Sequence, residues 1–204
     1  ENYVSISFDE DMGVSGMMRT KFTNLIAIRY RAENNHLKEE TVIEDLENRY
    51  DIEIEDLKIT NEENTLKPLV RMIKFSGEDL VEEINEKIYI SPLFFLTTKI
   101  NPFKLKERKF PVDFGVPLKD KNTINIKIPA GYKVESLPKS LAIGISNNLG
   151  VFRYKAVANS NKITVVAQLQ INKSIITPEY YQELKMFYAQ LVEKQTEKIV
   201  LIKE

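Results

Sequence analysis

Residues 163–171 constrain this chain more than any other stretch. Ile163, Val165, Ala167, Leu169 and Ile171 place an apolar group at every second position. Successive side chains of a strand point to opposite faces, so this period describes a strand with one face buried and the other wet. The same period recurs in Ile124, Ile126 and Ile128, in Leu141, Ile143 and Ile145, and in Phe152, Tyr154 and Ala156. Pro129-Ala130-Gly131 turns the chain toward Tyr132, Val134 and Ser136, and Asn147-Asn148-Leu149-Gly150 and Asn159-Ser160-Asn161 supply two further turns. Asn and Gly tolerate positive φ, so strands at this spacing predict an antiparallel meander.

The C-terminal end changes period. Thr177-Pro178-Glu179 combines a capping hydroxyl, a proline at the first helical position and an acid in the first turn. It predicts a helix over about 178–196, with Tyr181, Leu184, Phe187, Tyr188, Leu191 and Gln195 on one stripe packed on the sheet. Residues 199–202 are a buried-type strand expected to enter the same sheet.

The N-terminal half shows both periods. Val4, Ile6 and Phe8 alternate with serines, and residues 14–21 form the returning strand. Phe22, Leu25, Ile26 and Tyr30 mark one helical stripe, and Val42, Ile43, Leu46 and Tyr50 mark a second after the break at Asn34-Asn35. Beyond Ile52 and Ile54 the alternation slips by one residue at Asp56 before Leu57 and Ile59, the mark of a β-bulge. Leu69, Ile73 and Phe75, with Val70 and Met72 on the other face, predict a covered central strand, and 88–90 a last short one.

The fold class expected is therefore α+β and β-rich, with antiparallel sheets, sandwich-like halves and helices packed on one face. Residues 1–95 form an N-terminal ββ-αα-βββ half, 96–121 a packed connector, and 122–204 a C-terminal antiparallel half with one helix and a final strand. The connector has no regular period. Pro102 and Pro111 bias Asn101 and Phe110 to extended backbone. Phe103, Leu105, Phe110, Val112 and Phe114 are apolar enough that burial of each is worth roughly 1.5–3 kcal/mol. They are expected to pin the connector between the halves. Alternatively, Arg108 and Lys109 with Phe103 and Phe110 form an interaction surface for an anionic or peptide partner.

Composition narrows the chemistry. With 43% hydrophobic and 29% charged residues, the chain has an ordinary folded composition. It contains no cysteine, which excludes thiol nucleophiles, zinc–thiolate sites and iron–sulfur clusters. The single histidine, His36, lies at the predicted helix break among Asn, Lys and Glu, and no glycine-flanked serine elbow accompanies it. It is expected to be solvent-exposed; a hydrolase built on it or on a carboxylate pair such as Asp113 and Glu135 is the weakest of the functional readings. Asp9, Glu10 and Asp11 invite a calcium reading but lack the spaced ligand set, so a solvated hairpin tip is expected. No metal, cofactor or phosphate-loop motif is present, and no apolar run reaches the roughly 20 residues of a membrane span. Residues 1–95 carry 11 Lys+Arg against 21 Asp+Glu, and 96–204 carry 18 against 9. That polarity suits two halves with complementary surfaces or steering of a partner. No Arg-rich stripe, zinc finger or aromatic RNA-recognition motif points to nucleic acid.

The wording of residues 88–92, of Asn101-Pro102-Phe103-Lys104, and of 107–115 (Glu-Arg-Lys-Phe-Pro-Val-Asp-Phe-Gly) resembles the C-terminal region of secreted bacterial transglutaminase-like proteins. So do Ile171-Asn172-Lys173-Ser174 and Val192-Glu193-Lys194-Gln195. The family's Cys-His-Asp centre lies in a core domain, and none of its catalytic residues transfers to a position here. The resemblance implies a non-catalytic accessory domain of unknown function, exported to the periplasm or cell surface, whose partner is an upstream transglutaminase-like domain of the same polypeptide. The chain starts at Glu1 on a strand pattern, which fits a piece of a longer polypeptide. The alternative expectation is a module that binds a glycan or a cell-envelope peptide.

Overall fold

The computed structural model describes residues 1–10 and 12–204. Asp11, one of the three acids weighed above as a calcium loop, lies outside the described residues. The chain opens with strands β1 (Asn2–Phe8) and β2 (Val14–Phe22), then helices α1 (Asn24–Asn34) and α2 (Glu39–Tyr50). Four strands follow: β3 (Glu53–Thr60), β4 (Leu69–Gly77), β5 (Val81–Ile84) and β6 (Lys87–Ile90). A 3-10 turn at Phe94–Leu96 leads into the connector, which contains the short β7 (Val112–Asp113). Then come β8 (Leu118–Lys127), β9 (Tyr132–Ser136), β10 (Leu141–Ile145), β11 (Gly150–Asn159), β12 (Lys162–Ile171) and β13 (Ile175–Ile176). A 3-10 turn at Pro178–Tyr180 opens α3 (Tyr181–Thr196), and β14 (Ile199–Lys203) ends the chain. The arrangement is α+β and β-rich.

Eight strands form one sheet in the order β10-β11-β12-β8-β1-β2-β4-β3. It draws on both halves of the chain, joined where β1 lies parallel to β8 with Val4 opposite Ile124 and Ile6 opposite Ile126. Its other pairings are antiparallel. Buried side chains fall on one phase of each central strand: Val4 and Ile6, Met18 and Thr20, Ile73 and Phe75, Ile124 and Ile126, Ile163 and Val165, Phe152 and Tyr154. The opposite phase is exposed at Ser5, Arg19, Lys74, Arg153 and Lys155 and half-buried at Met72, Asn125, Thr164 and Val166. Everything that covers the sheet therefore sits on one side of it, as period two requires.

Two departures from the expected meander share a cause. β9 does not return along β8; it leaves for a second sheet of order β5-β6-β14-β9, and β14 enters that sheet instead of the large one. Both edges of β8 are already taken, one by β12 over ten residue pairs and the other by β1. The N-terminal half also has one strand more than expected, β5, which pairs with β6 around Asn85 and Glu86, both at positive φ. The second sheet again mixes the halves. Lys198 bridges Glu82 at 2.9 Å and Lys87 bridges Glu135 at 2.7 Å. Such surface pairs contribute about 0–1 kcal/mol each, so apolar burial and strand pairing unite the halves more than their charge asymmetry does.

The bulge stands where the phase slip placed it, between Ile54 and Asp56. Asp51 ends α2 in the left-handed region at φ 55°, its N–H bonding Glu47 O at 2.8 Å. α1 packs differently from its predicted stripe. Phe22 belongs to β2, Leu25 and Ile26 are more than 40% exposed, and Ala27, Tyr30 and Arg31 turn inward. Arg31 is buried because its guanidinium donates to the carbonyls of Asn61, Glu62, Asn64 and Lys67 at 2.7–3.0 Å, clamping the β3–β4 loop. That contact rotates the helix about its axis and turns two of the expected core residues outward. On α3, by contrast, all six stripe residues are buried.

Gly16 marks the tightest crossing in the large sheet. A Cβ there would lie 2.4 Å from the Ser5 carbonyl oxygen and 2.7 Å from the Phe75 ring. Gly16→Ala is expected to destabilise the protein by about 1–3 kcal/mol through overpacking, as measured by the shift in urea midpoint at unchanged slope.

Candidate functional site

Two features of the surface carry functional information: the connector and a cleft at one end of the large sheet. The connector runs along α3 in the opposite direction. The Thr98 N–H donates to Gln195 Oε1 at 2.7 Å, Asn101 Nδ2 to the Lys185 carbonyl at 2.9 Å, and Lys185 Nζ to the Leu105 carbonyl at 2.9 Å. The Tyr181 hydroxyl also donates to Leu105 O, and Gln182 Nε2 to Lys106 O. Phe103 anchors this run, with ring centroids 4.9 Å from Tyr188, 6.1 Å from Tyr181 and 6.4 Å from Phe114. Burial against these rings pushes the Tyr188 hydroxyl up to about 12, since the phenolate would lose its water.

Of the five apolar connector residues expected to be buried, three comply. Phe103 and Val112 are in the core and Phe114 is half-buried. Phe110, at 77% exposure, and Leu105, at 60%, correct the expectation. The reason is local. At residues 104–106 the connector is held by its carbonyl oxygens, which α3 binds, so Leu105 is free to project. Pairing resumes only at β7, where Val112 faces Ile176 and the Phe114 N–H meets the Ser174 carbonyl at 2.7 Å. Of the four candidate interaction residues, Arg108, Lys109 and Phe110 are exposed together, while Phe103 is occupied by packing. With Ile100 and Leu105 they give an exposed cationic and apolar ridge that runs from the α3-held residues 104–106 toward β7.

The cleft was not read from sequence. It has a volume of about 930 Å³ and lies between the α1–α2 pair and the strand ends at 116–120 and 170–172. Its floor is set by a polar row that crosses four neighbouring strands, of which Arg71 of β4, Thr20 of β2 and Asn2 of β1 line the cleft: Arg71 is opposite Thr20, Thr20 opposite Asn2, and Asn2 opposite Asn122 of β8. Residues directly opposite share a face. The adjoining row, Ile73, Met18, Val4 and Ile124, is entirely apolar and buried. Three polar members are linked: Asn2 Nδ2 donates to Asn122 Oδ1 at 2.7 Å, and Thr20 Oγ1 donates to Asn2 Oδ1 at 2.9 Å.

Arg71 is the exception. It is 4% exposed and forms no ion pair among the described residues. Its Nη2 makes one long contact, 3.4 Å, to the Tyr50 hydroxyl, and its Nε finds no protein acceptor. The guanidinium lies 5.5 Å from the Phe22 ring centroid and 5.7 Å from that of Tyr30, whose buried hydroxyl interacts with it but carries no counter-charge. Cation–π attraction is worth up to about 2 kcal/mol when desolvated, whereas burying a lone charge costs several. Arg31 shows what a satisfied buried arginine looks like in this same fold. The sequence does hold one signal for Arg71: a cation in phase with Leu69, Ile73 and Phe75 on a core strand.

Other sequence candidates stay apart. His36 is exposed in the turn between α1 and α2. Asp113 lies in β7, and Glu135, in β9, is engaged by Lys87. Among the described residues no three His, Cys, Asp or Glu side chains cluster as a metal site, and no helix is long and apolar enough to cross a membrane.

The packed and exposed phenylalanines should differ sharply on mutation. Phe103→Ala is expected to cost about 3–5 kcal/mol, and Phe110→Ala to stay within about 0.5 kcal/mol of wild type, by urea denaturation of each variant.

A search of curated proteins gives no match. Among solved structures, a candidate protease from Parabacteroides distasonis ATCC 8503 is similar over 48% of this chain at 16% identity, with a TM-score of 0.42. The chain spans 19% of the length of that protein. The family model of DUF3858, a domain of unknown function with a solved structure, matches residues 86–201. That range runs from the β5–β6 turn through the connector and α3 into β14, more than half of the chain, and the protein belongs to the DUF3858 family of domains of unknown function.

Proposed function

We propose that this chain is a non-catalytic accessory module, part of an exported polypeptide, that docks onto a transglutaminase-like neighbour and orients it or its substrate. The supporting observation is the connector ridge: Leu105 projects from backbone held by α3, and Arg108, Lys109 and Phe110 are exposed between that contact and β7. Exposed apolar side chains on a segment tied at both ends bind at reduced ordering cost, and flanking cations select a partner with acidic rims. The wording of this connector also carries the resemblance to transglutaminase-like proteins. A second reading, capture of a glycan or a cell-envelope peptide, is favoured by the cleft, whose volume lies in the range of small-molecule sites.

The test is a pull-down of this chain with the transglutaminase-like domain encoded in the same gene. Binding is expected, with Leu105→Asp plus Phe110→Asp weakening it by about tenfold or more. A gene without such a domain, or absence of contact together with unchanged activity on deletion of this chain, would contradict the docking role.

A further inference from the structure

We infer that the cleft is a binding site for a carboxylate carried on an apolar body, with the Arg71 guanidinium as its charged anchor. This deepens the ligand-capture reading and is independent of docking through the connector ridge.

The argument starts from supply and demand of hydrogen bonds. Arg71 offers five donors in a planar fork. One is spent on a long contact to Tyr50, and Nε has no protein acceptor although it is buried. The aromatic faces of Phe22 and Tyr30 hold the guanidinium in place and supply no counter-charge. A carboxylate accepts two parallel N–H bonds from such a fork and neutralises the charge. The Tyr30 hydroxyl beside it, held neutral by burial, leaves the guanidinium charge unmatched. The Asn2–Thr20–Asn122 chain supplies the adjacent polar floor.

The walls select the rest of the ligand. Leu25 and Ile26, turned outward by the rotation of α1, line the cleft, as do Leu37 and Pro117. They suit an aliphatic chain better than a sugar or a bare phosphate. Around it the acids Glu1, Glu33, Asp45 and Asp120 balance the cations Lys21, Arg49, Arg71 and Lys119, so the lining offers no surplus of positive charge to a multiply charged anion. A free acid of the N-acyl amino acid type and the C-terminal carboxylate of a peptide share this chemistry.

Titration calorimetry with the intact chain distinguishes them. The probes are N-acetyl-leucine, an acetylated tetrapeptide with C-terminal leucine, and the amide of each. At least one free acid is expected to bind, its amide about thirtyfold more weakly, because truncating one side of a buried charge pair costs that much or more. Binding of the short acid alone identifies a small-molecule ligand, and stronger binding of the tetrapeptide identifies a chain end. Arg71→Met should abolish binding while the unliganded variant melts at or above wild type, whereas an arginine needed only for packing would lower the melt. Should that variant not fold, Ile26→Glu at the exposed mouth should weaken acid binding without altering the melt. No heat from either acid up to about 10 mM, equal binding of acid and amide, or unaltered binding by the substituted proteins would overturn the site. Glycan-array binding alongside failure of both acids would leave ligand capture standing and remove the carboxylate site.

Discussion

The parallel contact between β1 and β8 is the constraint on which the rest of the structure depends. Five residue pairs join Asn2–Ile6 to Asn122–Ile126, more than a hundred positions away. Parallel neighbours cannot be joined by a tight turn, so the chain between them must cross over. Residues 7–121 make that crossover. They include the α1–α2 pair, the β5–β6 hairpin and the connector, all of which cover one face of the sheet that the contact creates. Val4, Ile6, Ile124 and Ile126 are fully buried at the junction, which makes the two halves one hydrophobic unit.

That same junction creates the cleft. Next to the apolar row Ile73, Met18, Val4 and Ile124 lies the row Arg71, Thr20, Asn2 and Asn122, and on β4 and β2 apolar side chains resume beyond it at Leu69 and Phe22. The polar row keeps its own hydrogen bonds, and the Arg31 clamp on the β3–β4 loop holds α1 at an angle that leaves Leu25 and Ile26 outside the core. Packing, helix rotation and an unsatisfied guanidinium are thus consequences of a single geometric arrangement.

Much of the local structure was legible in the sequence, because strand and helix periods survive wherever one face is buried. The α3 stripe and the bulge before Asp56 are two such cases. What was not legible is partnership. Nothing in Tyr132–Ser136 says that both edges of β8 are already taken, so a hairpin was expected where β9 instead joins β14. Phe110 looked like core because its hydrophobicity is visible, while the carbonyl contacts that hold the neighbouring connector to α3 are not. Arg71 carried a phase signal, but its lack of a partner is a property of three dimensions.

The central claim, that β1 and β8 weld the two halves into one cooperative unit, is tested most directly by native-state hydrogen exchange. The amides of Val4, Ile6, Ile124 and Ile126 should exchange only through global unfolding, with the same denaturant dependence as those of β2 and β12. Exchange of residues 1–77 by a lower-energy opening, while β8 and β12 remained protected, would contradict it.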